Sequence, residues 1–402
     1  MNSNQKKERS TTWNLKRLKS ELVFKLLLGV FIGIALGLVA NETVMNFIVV
    51  IKDLLGQIIF FTVPLIILGF VAPSIAELKS GATKLLGFAV GIAYLSTLGA
   101  ATFSMICGYI LVPLLNIQNS VEGLRELPLP IFSLQITPIM SVMSALVLSL
   151  MLGLAVSATK STTFETLLNE FRNIVLKIVS NLILPILPFF IGTTFMSLAY
   201  EGSITKHLPI FIIAIIIVII GHFIWLIALY FIAGKYAKVN PKEVYKYYAP
   251  AYFTAVGTMS SAATMPVALT CAKKSPVLHK DSVEFGIPLF ANIHLCGSVL
   301  TEVFFVMTVS QVLYGQLPGV GEMIVFVVLL GVFGIGAPGV PGGTVMASLG
   351  LITGVLGFDA EGTALMMTIF ALQDSFGTAC NVTGDGALTL ILSKFTRKIT
   401  AD

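Results

Sequence analysis

Long apolar stretches alternate with short polar connections along nearly the whole chain. A helix needs roughly 20 apolar residues to cross a membrane. By this measure the pattern predicts six spans, TM1 to TM6, at residues 23–41, 45–76, 84–115, 131–158, 172–200 and 208–234. Lysines and arginines precede the first span and follow the second, fourth and sixth. Because basic connections stay in the cytoplasm, this alternation predicts a cytoplasmic N-terminus.

The pattern changes after the sixth span. Residues 247–272 carry no charge, have "GTMSSAATMP" near their middle, and are followed by Lys273 and Lys274. A single crossing would put these lysines outside, so we expect a re-entrant hairpin, HP1, that enters and leaves on the cytoplasmic side. Residues 323–358 are also uncharged, and "GIGAPGVPGG" in their middle does not suit a continuous helix. They predict a second hairpin, HP2, which opens to the outside.

A long apolar segment follows each hairpin. TM7, at residues 285–313, contains Pro288 and the weak helix former "NIHLCGS", and TM8, at residues 362–393, ends before Lys394 on the cytoplasmic side. Irregular backbone at membrane depth is tolerated only inside protein or beside a water-filled cavity, and paired broken segments mark the binding site of secondary transporters. The predicted fold is therefore an all-α polytopic membrane protein with eight transmembrane helices and two oppositely oriented hairpins, and its C-terminus is predicted to be cytoplasmic.

Composition excludes several other classes of protein. The 402 residues are 56% hydrophobic and only 11% charged, against about 25% charged in soluble proteins. The net charge of +5 lies mostly in connections and at the basic N-terminus, residues 1–22, so it indicates topology and not nucleic-acid binding. Four cysteines in apolar stretches show no metal or disulfide spacing. No nucleophile–base pair or cofactor motif is present, so neither an enzyme nor a cofactor is expected, and we expect no cleavable signal peptide.

The predicted TM8 carries a polar face. Asp374, Thr378, Asn381 and Asp385 are spaced by four, three and four, which places them on one side of a helix. A carboxylate at bilayer depth costs several kcal/mol unless it is paired. The apolar parts of both hairpins, TM7 and TM8 contain no lysine or arginine. The counter-charge is therefore predicted to be a substrate ammonium group, a metal cation or a proton, with structural hydrogen bonding in the bundle as the alternative.

Three motifs resemble a known family. They are "NVTGD" in TM8, "GVPGG" in HP2 and the serine-rich tip of HP1 that ends in "TMP". The chain is similar to the dicarboxylate/amino acid:cation symporter family, and "LQDS" at residues 372–375 is most similar to the bacterial serine/threonine transporter branch. The resemblance implies a homotrimer in the lipid of the cytoplasmic membrane. It implies a scaffold of residues 23–76 and 131–200, and a mobile transport domain of residues 84–115 and 208–396 that works by an elevator mechanism, with HP2 as the gate.

The resemblance also implies roles for individual residues. Asp374 binds the substrate's amino group, and Thr378 and Asn381 contact its polar groups. Further substrate-site positions are Ser260, Ser261, Ser298, Gly339, Val340, Pro341, Gly342 and Gly377. Asp385 and Asn381 match a sodium site, to which the backbone at His294 and Gly334 contributes. Ser96 and Thr97 match hydroxyls beside a second sodium site.

Departures from the family pattern bear on the substrate. The family's substrate-binding arginines fall on Gly377 and Met259, which favours a small neutral amino acid such as serine or threonine over glutamate or aspartate. A cation-coupled glutamate or dicarboxylate symporter is the alternative, as is a degenerate member that acts as an exchanger, conductance or sensor. The aspartate of the family's TM7 signature falls on Cys296, so one sodium site is expected to be lost.

Two further residues bear on the coupling ion, which is expected to be sodium, a proton or both. Glu302 matches a glutamate of proton-coupled carriers and is predicted to carry a proton, with a buried, hydrogen-bonded acid as the alternative. His294 has three interpretations: a titrating group, a tethered cation that fills the lost sodium site, or a packed polar residue.

Overall fold

The computed structural model describes residues 25, 28–77, 84–115, 127–128, 130–132, 134–337 and 342–399. These residues form α-helices and no strand. The helices are α1 Leu28–Val39, α2 Glu42–Glu77, α3 Lys84–Leu111, α4 Val142–Thr159, α5 Thr162–Ile178, α6 Leu184–Glu201, α7 Ser203–Ala237, α8 Lys242–Tyr245, α9 Ala249–Thr258, α10 Ser261–Lys273, α11 Lys280–Ile293, α12 Cys296–Tyr314, α13 Val320–Gly336, α14 Gly343–Gly354 and α15 Ala360–Ile399.

Several helices match the dimensions of a membrane. Among the described residues, four helical stretches are long and apolar enough to cross on their own: Glu42–Pro73, Lys84–Leu115, Pro209–Ala237 and Lys280–Tyr314. The pair Thr162–Ile183 and Pro188–Glu201, bent by 49°, would make a fifth. A helical membrane protein is thereby supported, while the count of eight spans stays a prediction.

Both predicted hairpins consist of two helices with a break between them. In the first, Met259 has a φ of 50°, in the left-handed region, and ends α9. Ser260 then caps α10, because its hydroxyl accepts a hydrogen bond from the Ala263 amide at 3.3 Å. In the second, α13 and α14 lie on either side of residues 338–341, and Gly342, with a φ of 71°, precedes α14.

Two predicted spans were wrong in detail. The span predicted at residues 131–158 becomes helical only at Val142, after Ser141 caps α4 by accepting from the Ser144 amide at 3.1 Å. The span predicted at residues 172–200 is not one helix. There α5 starts at Thr162, and a π-helical segment Val179–Ile183 joins it to α6. The sequence "LPILP" explains the bend, since each proline removes a backbone donor.

The helix α15 lies at the centre of the second half of the chain. It packs against α3, α7, α9, α10, α11 and α12. It approaches α12 closely at Gly297, where an added Cβ would collide with the Gly377 carbonyl oxygen. This backbone contact brings the polar face of α15 to the start of α12.

Candidate functional site

At the break between α11 and α12, backbone groups lose their partners within the helix and need others. His294 is extended, with φ −111° and ψ 111°, and its amide donates to the Phe290 carbonyl at 2.9 Å. The Leu295 amide donates to the hydroxyl of Thr97 on α3, at 3.4 Å. The interruption predicted by "NIHLCGS" is therefore held against α3.

Asn381 closes the start of α12. Its Oδ1 accepts from the Gly297 amide at 2.7 Å and the Ser298 amide at 3.2 Å, and its Nδ2 donates to the Ser298 hydroxyl at 2.9 Å. The first amides of any helix lack partners within the helix. The predicted contact of Asn381 with substrate or sodium stays a prediction, and its side chain is already engaged with α12.

A chain of three buried side chains lies next to this cap. His294 Nδ1 is 2.9 Å from Asp385 Oδ1, and His294 Nε2 is 2.9 Å from the Ser96 hydroxyl. His294 and Asp385 are 0% and 1% exposed. The second oxygen, Asp385 Oδ2, has no hydrogen-bond partner among the described residues. The structure thus joins α3, the break after α11, and α15 through one imidazole.

Asp374 meets the end of the second hairpin. Its Oδ2 accepts a hydrogen bond from the Gly342 amide at 2.7 Å, and the carboxylate is buried. Three other predicted tip residues, Gly339, Val340 and Pro341, lie outside the described part of the chain. Among the four predicted tip residues of HP2, Gly342 is therefore the one that the structure shows next to Asp374.

The remaining predicted substrate positions are buried around the same helices. Thr378 lies on α15, and Gly377 packs so tightly that an added Cβ would be 3.3 Å from Ser298 Cα. Ser260 and Ser261 are buried at the start of α10, and both α9 and α10 contact α15. A methyl group at position 377 would be in tight contact with Ser298, so the neighbouring backbone of α12 would have to give by a few tenths of an ångström.

Glu302 and Gly334 connect the second hairpin to the same region. Glu302 is buried on α12 and accepts a hydrogen bond from the Ser348 hydroxyl on α14. Its Oε2 has no partner within the described ranges. Gly334, near the end of α13, faces Leu295 and Thr97, whose side chains would lie 3.6 and 3.8 Å from an added Cβ.

A second polar chain was missed by the sequence analysis. His222 on α7 is buried, and its Nε2 lies 3.0 Å from both the Gly297 carbonyl and the Thr301 hydroxyl. The Thr301 hydroxyl in turn lies 2.8 Å from Gln373 Oε1 on α15. A signal was present, because His222 is the one ionisable side chain in the middle of the predicted TM6.

The electrostatic character of the site is acidic. The buried polar side chains include three carboxylates, on Glu302, Asp374 and Asp385, whereas no buried lysine or arginine occurs among the described residues. In the same ranges, no three side chains of histidine, cysteine, aspartate or glutamate form a metal-binding group. A cation here would rely on single carboxylates, hydroxyls and carbonyls.

Comparisons with known proteins agree with this picture. A family model described as the sodium:dicarboxylate symporter family matches residues 22–395. Excitatory amino acid transporter 3 of Mus musculus is 31% identical over 170 residues, which cover 42% of this chain and 32% of the relative. Excitatory amino acid transporter 2 of Rattus norvegicus is 27% identical over 227 residues, or 54% of this chain and 39% of the relative. The matched stretch thus spans 32% to 39% of the length of these relatives.

Proposed function

The chain belongs to the sodium:dicarboxylate symporter family, and on that premise we propose that it is a secondary active transporter that couples uptake of a small neutral amino acid to a cation. The family and the relatives bear the names of transporters and not of enzymes. We further propose that it works as a homotrimer with an elevator mechanism in the cytoplasmic membrane, with both termini in the cytoplasm.

The proposal of a small neutral amino acid as the substrate rests on the packing at Gly377. Position 377 lies one turn from Asp374 on α15, and the backbone of Ser298 lies only 3.3–3.4 Å from the point where a side chain would begin. Position 377 thus carries no positive charge, and no buried lysine or arginine in the described residues supplies one instead. A second carboxylate on the substrate would therefore enter an acidic site without a counter-charge, which is strongly unfavourable.

Asp374 supplies the recognition of the amino group. A buried carboxylate requires a hydrogen-bonding or charged partner, and Gly342 provides one backbone amide. A substrate ammonium group beside the same carboxylate would add the positive charge that the site lacks. Because Gly342 begins the second half of HP2, substrate binding at Asp374 would be sensed directly by that hairpin.

An acidic amino acid is the second candidate substrate. The relatives are named as excitatory amino acid transporters, and the family description names dicarboxylates. Under this candidate, a cation or a backbone amide outside the described residues would have to neutralise the second carboxylate.

Two ions are candidates for coupling. Sodium would use oxygen atoms at Asp385, Asn381, Gly334, Ser96 and Thr97. A proton would be carried by Glu302, whose contact with Ser348 on α14 would link its protonation to the hairpin.

A ligand screen on the purified protein tests the choice of substrate. We expect serine, threonine or alanine to raise the thermal unfolding temperature in the presence of sodium, and glutamate and aspartate to have no effect. Stabilisation by glutamate but not by the neutral amino acids would establish the second candidate instead.

Met259→Arg sharpens the same test. Met259 is buried at the tip of HP1, beside Ser260. A guanidinium group there can bind a carboxylate through two hydrogen bonds. We expect the variant to gain stabilisation by aspartate or glutamate, whereas the neutral control Met259→Gln should not. An arginine variant that folds and still ignores acidic amino acids would show that the side chain of the substrate does not point toward HP1.

A further inference from the structure

The carboxylate of Asp385 already has a partner within the chain. We infer that His294 occupies the cation position at Asp385, so that a sodium ion can bind there only after the imidazole has moved away. This inference rests on the proposed cation coupling and adds the residue that determines which cation the site accepts.

The imidazole is held from both ends. His294 Nδ1 lies 2.9 Å from Asp385 Oδ1, and Nε2 lies 2.9 Å from the Ser96 hydroxyl. The direction of this hydrogen bond depends on the tautomer of His294; when Asp385 is ionised the carboxylate can only accept, and a hydrogen on Nδ1 then takes the place that a cation would need. The backbone next to the ring is fixed as well, because the Leu295 amide donates to Thr97.

The atoms known to lie near Asp385 and the preceding Gly384 include few oxygen atoms that could bind sodium. The neighbouring position on α15, Gly384, is enclosed by the same residues: a Cβ added there would lie 2.8 Å from His294 Cε1, 3.2 Å from Cys296 Sγ and 3.4 Å from Leu229 Cδ2. Hard cations prefer oxygen ligands over nitrogen and sulfur. With the ring in place, Asp385 Oδ1 faces a nitrogen atom where a sodium ion would need an oxygen ligand.

The carboxylate itself remains suited to a cation. Asp385 Oδ2 is buried and has no hydrogen-bond partner within the described ranges. If a smaller side chain with an amide oxygen replaced the ring, both carboxylate oxygens and the Ser96 hydroxyl would be available. The substitution His294→Asn should therefore open the site to a cation.

Sodium titration of the purified protein, without amino acid, tests the inference. Thermal unfolding is followed as sodium chloride replaces choline chloride at constant ionic strength. We expect little stabilisation of the wild-type protein, and for His294→Asn an apparent dissociation constant for sodium at least about tenfold lower, since removing one strong charge-assisted hydrogen bond changes an equilibrium by that factor. Adding Cys296→Asp to this variant should lower the constant further, because it supplies another oxygen ligand.

Two control variants separate occupancy of the site from general loosening. His279→Asn replaces the half-buried histidine that precedes α11, outside the candidate site, and should leave the sodium response as in the wild type. His294→Asn combined with Asp385→Asn should lose the gain in sodium affinity, because the carboxylate is gone.

Clear outcomes would overturn the inference. One is a His294→Asn protein that folds with the wild-type sodium response or a weaker one. Another, which needs no variant to fold, is half-maximal stabilisation of the wild type at a few millimolar sodium. The amino-acid screen is read separately, so a protein that binds no amino acid would refute the proposed function and leave the sodium result intact.

Discussion

Two helix contacts in this protein are built in the same way and differ in what surrounds them. Gly29 and Gly33 on α1 press directly against α6, where a Cβ at Gly29 would lie 2.6 Å from the Pro188 carbonyl oxygen. Gly297 on α12 presses against the Gly377 backbone of α15. The neighbours of the first contact are apolar, including the buried Val30 and Ile191. The neighbours of the second are the polar groups of the candidate site.

Close packing of glycines alone does not make a binding site. Small residues let helix backbones approach within a membrane, where van der Waals contact supplies much of the association energy. At α1 and α6 that approach joins two helices. At α12 and α15 the same approach also lets Asn381 reach the amides of Gly297 and Ser298. The second contact is therefore the one in which a small displacement should change ligand binding.

The largest effect on binding is expected from Asp374→Asn. Asparagine keeps an oxygen for the Gly342 amide and removes only the charge, which isolates the interaction with a substrate ammonium group. A charge-assisted hydrogen bond contributes about 1.5–3 kcal/mol, so calorimetry should show at least about a tenfold loss of amino-acid affinity. The exposed Asp281→Asn on α11 is the control, and an unchanged affinity in the Asp374 variant would refute the role of Asp374.

A matched pair of glycine substitutions tests the comparison itself. Gly33→Ala and Gly297→Ala each place a methyl group against a carbonyl oxygen of the facing helix. Overpacking of this kind costs about 1–3 kcal/mol, so both should lower the thermal unfolding temperature. Only Gly297→Ala should also weaken amino-acid binding. Equal losses of affinity in the two variants would mean that the α1–α6 contact is coupled to the site as strongly as the α12–α15 contact.

Removal of the Asn381 cap is expected to destabilise the protein. Asn381→Ala leaves two buried amides at the start of α12 without their partner, at a cost of about 1–3 kcal/mol for each unsatisfied group before relaxation. Thermal unfolding should therefore occur at a lower temperature than in the control Asn292→Ala, which removes an exposed asparagine on α11. Unfolding of both variants at the wild-type temperature would show that water or a local shift replaces the cap.

Glu302→Gln should have the smallest effect on stability and a selective effect on transport. Glutamine retains an oxygen for the Ser348 hydroxyl but cannot release a proton at this site. In proteoliposomes we expect uptake driven by a pH gradient to be lost, while exchange of internal for external substrate continues. A glutamine variant that concentrates substrate with the wild-type response to pH would identify Glu302 as a structural acid.

Much of the architecture followed from local pattern. The breaks in the two hairpins and in TM7 were predicted from proline, glycine and weak helix formers, and the structure breaks helices at residues 259–260 and 294–295. Local pattern failed where helix ends depend on more than hydropathy. The apolar residues before Val142 are not helical, and the segment predicted as TM5 is bent by 49° between Thr162–Ile183 and Pro188–Glu201.

The sequence by itself determined which residues share a face, because the helical period places Asp374, Thr378, Asn381 and Asp385 on one side of α15. It did not determine what that face meets. Only the tertiary structure decided that Asn381 caps α12 and that Asp385 binds His294. The physical reason is that these partners lie 84 and 91 residues apart along the chain, so that only the packing of distant segments brings them together.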